Sequence, residues 1–239
     1  MAQSEMQDDI LIILHQEQST PGRVGKLLQE RGYNLDIRRP RFGDPLPETM
    51  DEHKAALIFG GPMSANDPDD FIKQEIDWLS VPLKERAPFF GICLGAQMLA
   101  KNLGGEVYEH PEGKAEIGFY PVKDLRPENH QQIMPSAPSH VFQWHVESYE
   151  LPKGTQNLMS CEMFENQAFQ LDDEIFGVQF NTELTLAMHY RWLVGGAHRM
   201  TMPGTMPRKQ HLEGRLLYDN EIKRWLNQFL DNWLAADPR

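Results

Sequence analysis

The chain has 239 residues and carries 23 Lys and Arg against 35 Asp and Glu, a net charge of −12, with 40% hydrophobic and 10% aromatic residues. This is the composition of an ordinary soluble globular protein. The acidic balance, with no basic run, argues against a nucleic-acid footprint, and two cysteines without a CxxC or zinc-spaced Cys/His pair provide neither a disulfide framework nor a metal site.

The acidic, polar stretch Met1–Asp9 does not read as a secretory leader. The long uncharged stretch Ala87–Ala100 contains Gln97 and two glycines and falls short of the ~18 residues that a membrane span needs. A cytoplasmic protein that contacts neither nucleic acid nor membrane is therefore expected.

Along the chain, Ile10–Leu14 reads as a buried strand, too short for a helix. Ser19-Thr20-Pro21 predicts a helix start, Val24, Leu27 and Leu28 share one helical face, and Gly32 closes it. Asn34–Ile37 and Ala55–Phe59 read as strands. A helix is predicted from Asn66-Asp67-Pro68 with Ile72, Ile76 and Leu79 on one face. Pro88–Ile92 is a fourth strand, followed by a helix over Leu94–Leu103 that ends at Gly104-Gly105. Such strand–helix alternation predicts a mainly parallel sheet with helices on both faces, and functional loops at the C-terminal ends of its strands.

The second half is richer in strands, at Glu106–Tyr108, Glu116–Val122, His140–His145, Gln167–Leu171 and Ile175–Phe180. A helix is expected from near Glu183, then a Gly-, Pro- and Met-rich loop over Gly195–Pro207. The last helix sets Ile222, Trp225, Leu226, Phe229, Leu230 and Trp233 on one broad apolar face, which suits core docking. Cys161 reads as a half-buried core thiol. With no repeat or linker, a single domain over 1–239 is expected.

Gly91-Ile92-Cys93-Leu94-Gly95 lies between a strand and a helix. This is the context of a nucleophile elbow, where glycines permit a tight turn and the central side chain is lifted above the sheet edge. The helix N-terminus favours a thiolate and offers N–H groups to an oxyanion. A buried structural thiol is the plain alternative. Gly60-Gly61-Pro62 ends the third strand, where the Gly61 N–H could face such an oxyanion or simply belong to a turn.

With these segments in view, the chain resembles the class I glutamine amidotransferases. The matching pieces are Phe59-Gly-Gly-Pro-Met-Ser64, Gly91-Ile-Cys-Leu-Gly-Ala-Gln97, Gly104-Gly105, Glu116-Ile-Gly118, Gln143-Trp-His145 and Gly177-Val-Gln-Phe-Asn-Thr-Glu183. The resemblance implies a flavodoxin-like, doubly wound α/β fold with a core over about 9–194 and a C-terminal helical extension over about 207–236. It implies that Cys93 attacks the glutamine side-chain amide, expels ammonia and leaves a thioester that water hydrolyses to glutamate, with no metal or other cofactor.

By the same resemblance, the N–H groups of Gly61 and Leu94 form the oxyanion hole. Gly60, Gln97, Glu116 and His145 line the substrate pocket, and Glu183 orients a catalytic base. A helix-surface amide for Gln97 and a solvated carboxylate for Glu116 are the alternatives. The substrate class is glutamine or a γ-glutamyl compound, and a partner synthase subunit is a natural consumer of ammonia.

The family's closing motif reads roughly G-x-Q-F-H-P-E, its His being the base. Here Asn181 stands at that position and Thr182 replaces the proline. An amide does not titrate in the working range and cannot exchange the thiol proton, so impaired activity is expected. His15, His145 and His189 are the candidate substitutes. A γ-glutamyl peptide or amide hydrolase and a non-catalytic glutamine-binding module are the rival readings.

Overall fold

The computed structural model describes residues 9–127 and 133–235. Residues 1–8 of the acidic N-terminal stretch, and residue 236 at the end of the expected extension, lie outside the described residues. In chain order the elements begin β1 Asp9–Ile13, α1 Gly22–Glu30, β2 Asn34–Arg38, β3 Ala55–Ile58, α2 Asp70–Trp78, α3 Ser80–Glu85, β4 Phe89–Ile92 and α4 Leu94–Asn102. Shorter strands follow: β5 Val107–Glu109, β6 Glu116–Pro121, β7 Lys123–Asp124, β8 His140–His145, β9 Glu147–Tyr149, β10 Gln156–Ser160, β11 Ala168–Leu171 and β12 Ile175–Val178. Two helices, α5 Leu186–Gly195 and α6 Arg208–Ala235, complete the order.

Eight strands form one sheet in the order β2-β1-β3-β4-β12-β11-β10-β7. Neighbours from β2 to β12 run parallel, and β12, β11, β10 and β7 pair antiparallel. This is the mainly parallel, doubly wound α/β sheet expected. The order reverses between β1 and β3, which opens a crevice at the strands' C-terminal ends. Two small antiparallel pairs, β5/β9 and β6/β8, stand beside the sheet.

The period-2 alternation of the strands divides the core. Ile10, Ile12, Leu57, Phe90, Ile92 and Phe176 face the layer formed by α1 and α6. Leu11, Ile13, Ala56, Ile58, Phe89 and Ile175 face α2 and α4. On α6 the predicted apolar face is buried, with Trp225, Phe229 and Trp233 stacked at 5.7 and 5.8 Å. Phe229 meets Phe90 at 4.7 Å and Phe176 at 5.3 Å, and the Trp233 indole donates to the Glu174 carbonyl. Among the described residues no helix is long and apolar enough to cross a membrane.

Several local expectations are corrected. Neither Ser19 nor Thr20 caps α1: Pro21 takes the cap position with no side-chain bond, and the Arg23 N–H donates instead to the Glu183 carbonyl. The second helix starts at Asp70 rather than Asn66, because residues 64–67 form a turn in which Asp67 accepts from the Ser64 N–H. Strands β7, β9 and β10 and helix α3 were not anticipated. They are short, and their pairing depends on distant partners rather than local pattern. The Gly195–Pro207 loop contains a 3-10 turn over Ala197–Thr201. Cys161 is half-buried, and its thiol donates to the Pro121 carbonyl at 3.3 Å.

Truncating the ring where α6 meets the sheet leaves a cavity that the stacked indoles cannot fill. Phe229→Ala should lower unfolding free energy by about 3–5 kcal/mol, read as a reduced midpoint in urea with little change in slope.

Candidate active site

Four strand ends converge at the crevice. Leu14 and His15 follow β1, Gly60 and Gly61 follow β3, Cys93 follows β4, and Gln179–Glu183 follow β12. Cys93 is the N-cap of α4 with φ 53° and ψ −108°, a left-handed conformation rare outside glycine. Such strain costs about 1–3 kcal/mol and persists only where neighbours enforce it. The enforcement is steric. A Cβ on Gly91 would lie 2.7 Å from the Gly95 backbone, and one on Gly95 would lie 2.1 Å from the Ile58 carbonyl oxygen. Helix α4 therefore sits directly against the end of β3, and the Cys93 N–H donates to the Val178 carbonyl at 2.8 Å.

This packing brings most of the expected residues together. Gly60 lies against both Cys93 and Asn181: a Cβ there would be 3.3 Å from the Cys93 Cβ and 3.4 Å from the Asn181 Nδ2. Gly61 packs between Leu94 and His15. Asn181 donates from its amide to Glu183 Oε1 at 3.0 Å, while Asn181 Oδ1 and Glu183 Oε2 are buried without a partner. The Glu183 main chain is held by α1, where Gly22 at φ +54° leaves no room for a side chain: its Cβ would lie 2.2 Å from the Glu183 carbonyl oxygen. Gly60, Gly61, Cys93, Asn181 and Glu183 line one cavity of about 600 Å³.

Gln97, Glu116 and His145 do not line it. All three are buried, so the surface-amide and solvated-carboxylate alternatives fail for Gln97 and Glu116. They belong to a sealed polar network. Gln179 donates to the Cys93 sulfur at 3.8 Å and accepts from Gln97 at 3.2 Å, and Gln97 also donates to the Glu147 carbonyl. His145 joins that same carbonyl to Glu116, at 2.8 and 3.0 Å, and Gln167 bonds both Glu116 and Gln143. Gln179 was missed in the sequence, although extended spacing at i, i+2 and i+4 aligns it with Asn181 and Glu183.

None of the three candidate histidines lines the cavity, and of their ring nitrogens only His189 Nδ1 lacks a hydrogen-bond partner. His15 is held between the Gly60 carbonyl at 3.2 Å and the buried Glu75 at 2.8 Å. His145 is engaged as described, and His189 packs 3.4 Å from His211 among aromatic rings. Burial pushes both of the latter imidazoles down to about 4. One histidine unforeseen in the sequence, His198 of the 3-10 turn, lines the cavity rim.

Electrostatics follow from burial. The Cys93 thiol, 6% exposed, is pushed up to about 12, first by desolvation and then by the nearby Glu183 carboxylate. The Leu94 N–H, the Asn181 amide and Arg199 pull it back only in part. Desolvation also raises Glu183 to about 7, against the Asn181 amide and Arg23. Burial thus favours the neutral form of both the thiol and the neighbouring carboxyl. Among the described residues no group of three or more His, Cys, Asp or Glu is placed to hold a metal ion.

Comparison with known proteins accords with this geometry. The family model for glutamine amidotransferase class-I matches residues 18–192. A glutamine amidotransferase-like protein of Salmonella typhimurium, YfeJ, is 27% identical over 181 residues, covering 73% of this chain and 75% of that one. The glutamine-hydrolysing GMP synthase of Neisseria meningitidis serogroup B is 30% identical over 188 residues, covering 75% of this chain. The match spans only 33% of that larger enzyme. The crystal structure of a Thermotoga maritima glutamine amidotransferase superposes with a TM-score of 0.84 at 28% identity, covering 95% of this chain and 98% of that one.

Two consequences of the buried carboxyl are measurable. An unfolded Glu183 releases its proton near 4.5 and the folded one near 7, so over that window the native state binds more protons and stability falls as pH rises. The difference amounts to about 3 kcal/mol. Glu183→Gln should flatten the loss of stability between pH 5 and pH 8 in urea titrations. It should also speed iodoacetamide alkylation of Cys93 at pH 9, because the like charge that holds the thiol neutral is gone.

Proposed function

This chain belongs to the class I glutamine amidotransferase family, and on that premise we propose that Cys93 is the nucleophile of an amide-hydrolysing site whose turnover is limited by its missing base. Cys93 sulfur attacks the side-chain carbonyl carbon of a glutamine-like amide. The resulting oxyanion is met by the N–H groups of Gly61 and Leu94. The C–N bond then breaks, the nitrogen leaves with the thiol proton, and water hydrolyses the thioester to the free γ-carboxylate.

The observation that carries this reading is the elbow at Cys93 beside Asn181, which is bonded to Glu183 and, by the resemblance, stands at the family's His position. An imidazole there would accept the thiol proton, stabilise the thiolate beside Glu183 and return the proton to the leaving nitrogen. The Asn181 amide does none of these, though it does satisfy Glu183 as a donor. In the proposed reading Gly60 shapes the floor of the site. Gln97, Glu116 and His145 act behind it, holding Gln179 against the sulfur rather than touching substrate.

Hydrolysis of an N-substituted γ-glutamyl amide is favoured over free glutamine by the size of the cavity, about 600 Å³, which is in the range that encloses ligands well beyond one amino acid. If ammonia is the product, a separate synthase is its consumer. The comparison with the larger GMP synthase motivates this, since the remaining two-thirds of that enzyme have no counterpart in this match. The match to residues 18–192 supports one domain built on that core, with α6 as its extension.

Wild-type protein should release glutamate slowly, and Cys93→Ala should abolish the release. Asn181→His should raise turnover about 10²–10⁴-fold, measured as glutamate formed from glutamine and from γ-glutamyl amides. Ordinary enzyme rates in the wild type that survive Cys93→Ala would sink the proposal.

A further inference from the structure

In a chain of net charge −12, Leu184–Leu212 is the longest run without an Asp or Glu, and it contains Arg191, Arg199, Arg208 and Lys209. Part of that run, from Met188 in α5 to Arg199 in the following 3-10 turn, forms a wall of the Cys93 cavity. Arg191 and Arg199 both line the cavity, and among the described residues neither has an ion pair or a side-chain hydrogen bond. Arg23, Arg31, Arg38, Arg126 and Arg215, half-buried as Arg199 is, are each paired with an aspartate.

A half-buried guanidinium without a counter-anion is under-solvated, and its planar fork of donors matches a carboxylate. Arg199 is close enough to Cys93 for its field to act on the sulfur, yet Glu183 bonds Asn181 rather than either arginine. Beside the arginines, Trp144, Trp192 and Met188 provide an apolar wall, suited to the carbon skeleton of an extended ligand. The cations therefore stand unused across a cavity that begins at the nucleophile.

We propose that the substrate is a γ-glutamyl amino acid, its γ-amide carbonyl over Cys93 and the carboxylate of its amine-side residue held by Arg199 and Arg191. This rests on the reading of Cys93 as an amide-attacking nucleophile and adds what the leaving group must be. The S–C bond forms first, giving the oxyanion, then the C–N bond breaks, the thiol proton moves to the departing nitrogen, and the amino acid leaves through the arginine-lined mouth. Water then cleaves the thioester and restores the thiol, so the net reaction is hydrolysis to glutamate and an amino acid.

Calorimetric titration of the full-length Cys93→Ala protein separates recognition from turnover. γ-Glutamylglycine should bind at least about tenfold more tightly than γ-glutamylmethylamide or glutamine, the scale of one charge-assisted contact. Arg199→Ala in that background should erase the ratio, and Arg199→Lys should restore part of it. Equal affinities for the three ligands, no binding of any, or a ratio that survives combined Arg199→Ala and Arg191→Ala would overturn the proposal. In a parallel arm, Cys93-intact protein quenched with γ-glutamylglycine is read by mass spectrometry for the glutamyl thioester. Absence of the adduct beside an Arg199-dependent preference defeats the nucleophile reading and supports the recognition site. An adduct with no Arg199 dependence does the reverse.

Discussion

The contact between Gly95 and the Ile58 carbonyl oxygen, which admits no Cβ, is the constraint on which the site depends. It lets the first turn of α4 rest against the end of β3, and so the Gly60-Gly61 turn lies beside Cys93 instead of a helix diameter away. The left-handed backbone of Cys93 follows from the same closeness, since a relaxed turn would lift α4 off the sheet. Local strain of this kind survives because the layers on both sides are well packed. The aromatic stack of α6 backs β4 and β12 on one face, and α4 itself covers the other. Core packing in this protein holds the nucleophile's geometry as well as the fold.

That geometry comes with an electrostatic imbalance. Cys93 and Glu183 are both buried, both favour their neutral forms, and each ionisation hinders the other. A cation between them would resolve the conflict, but the position is held by Asn181, a neutral donor that can serve the carboxylate while leaving the thiol protonated. The arrangement favours a stable resting state over a reactive one. The Leu94 N–H, the Asn181 amide and Arg199 pull the thiol downward, yet desolvation outweighs them.

The sheet and its crevice were legible in the sequence because they rest on local signals. Apolar pentads such as Ile10–Leu14, the α6 stripe and the glycines flanking Cys93 each announce their element. Strand β10 and the two-residue β7 were not legible, since their pairing is bought by long-range contacts and their composition is ordinary. The site divided along the same line. Cys93, Gly60, Gly61, Asn181 and Glu183 converge because each lies in a segment that follows the C-terminal end of a strand, a placement that topology dictates. Gln97, Glu116 and His145 were expected at the cavity from resemblance, but they lie behind it, bonded to Gln179, Gln167 and the Glu147 carbonyl.

The loop after α5 is bonded to the strand on which Glu116 stands. The Pro203 carbonyl accepts from the Ala115 N–H, the Gly204 carbonyl accepts from the Tyr120 hydroxyl, and the Met206 N–H donates to the Ile117 carbonyl. Met206 also packs so tightly on Gly118, at φ +142°, that a Cβ there would lie 2.6 Å from its sulfur. These bonds bind the loop along β6. The other end of the same segment lines the cavity with Arg191, His198 and Arg199. One stretch of chain is thus tied to β6 at one end and lines the cavity at the other, so residues 188–199, together with the turns after β1 and β3, set the character of whatever reaches Cys93.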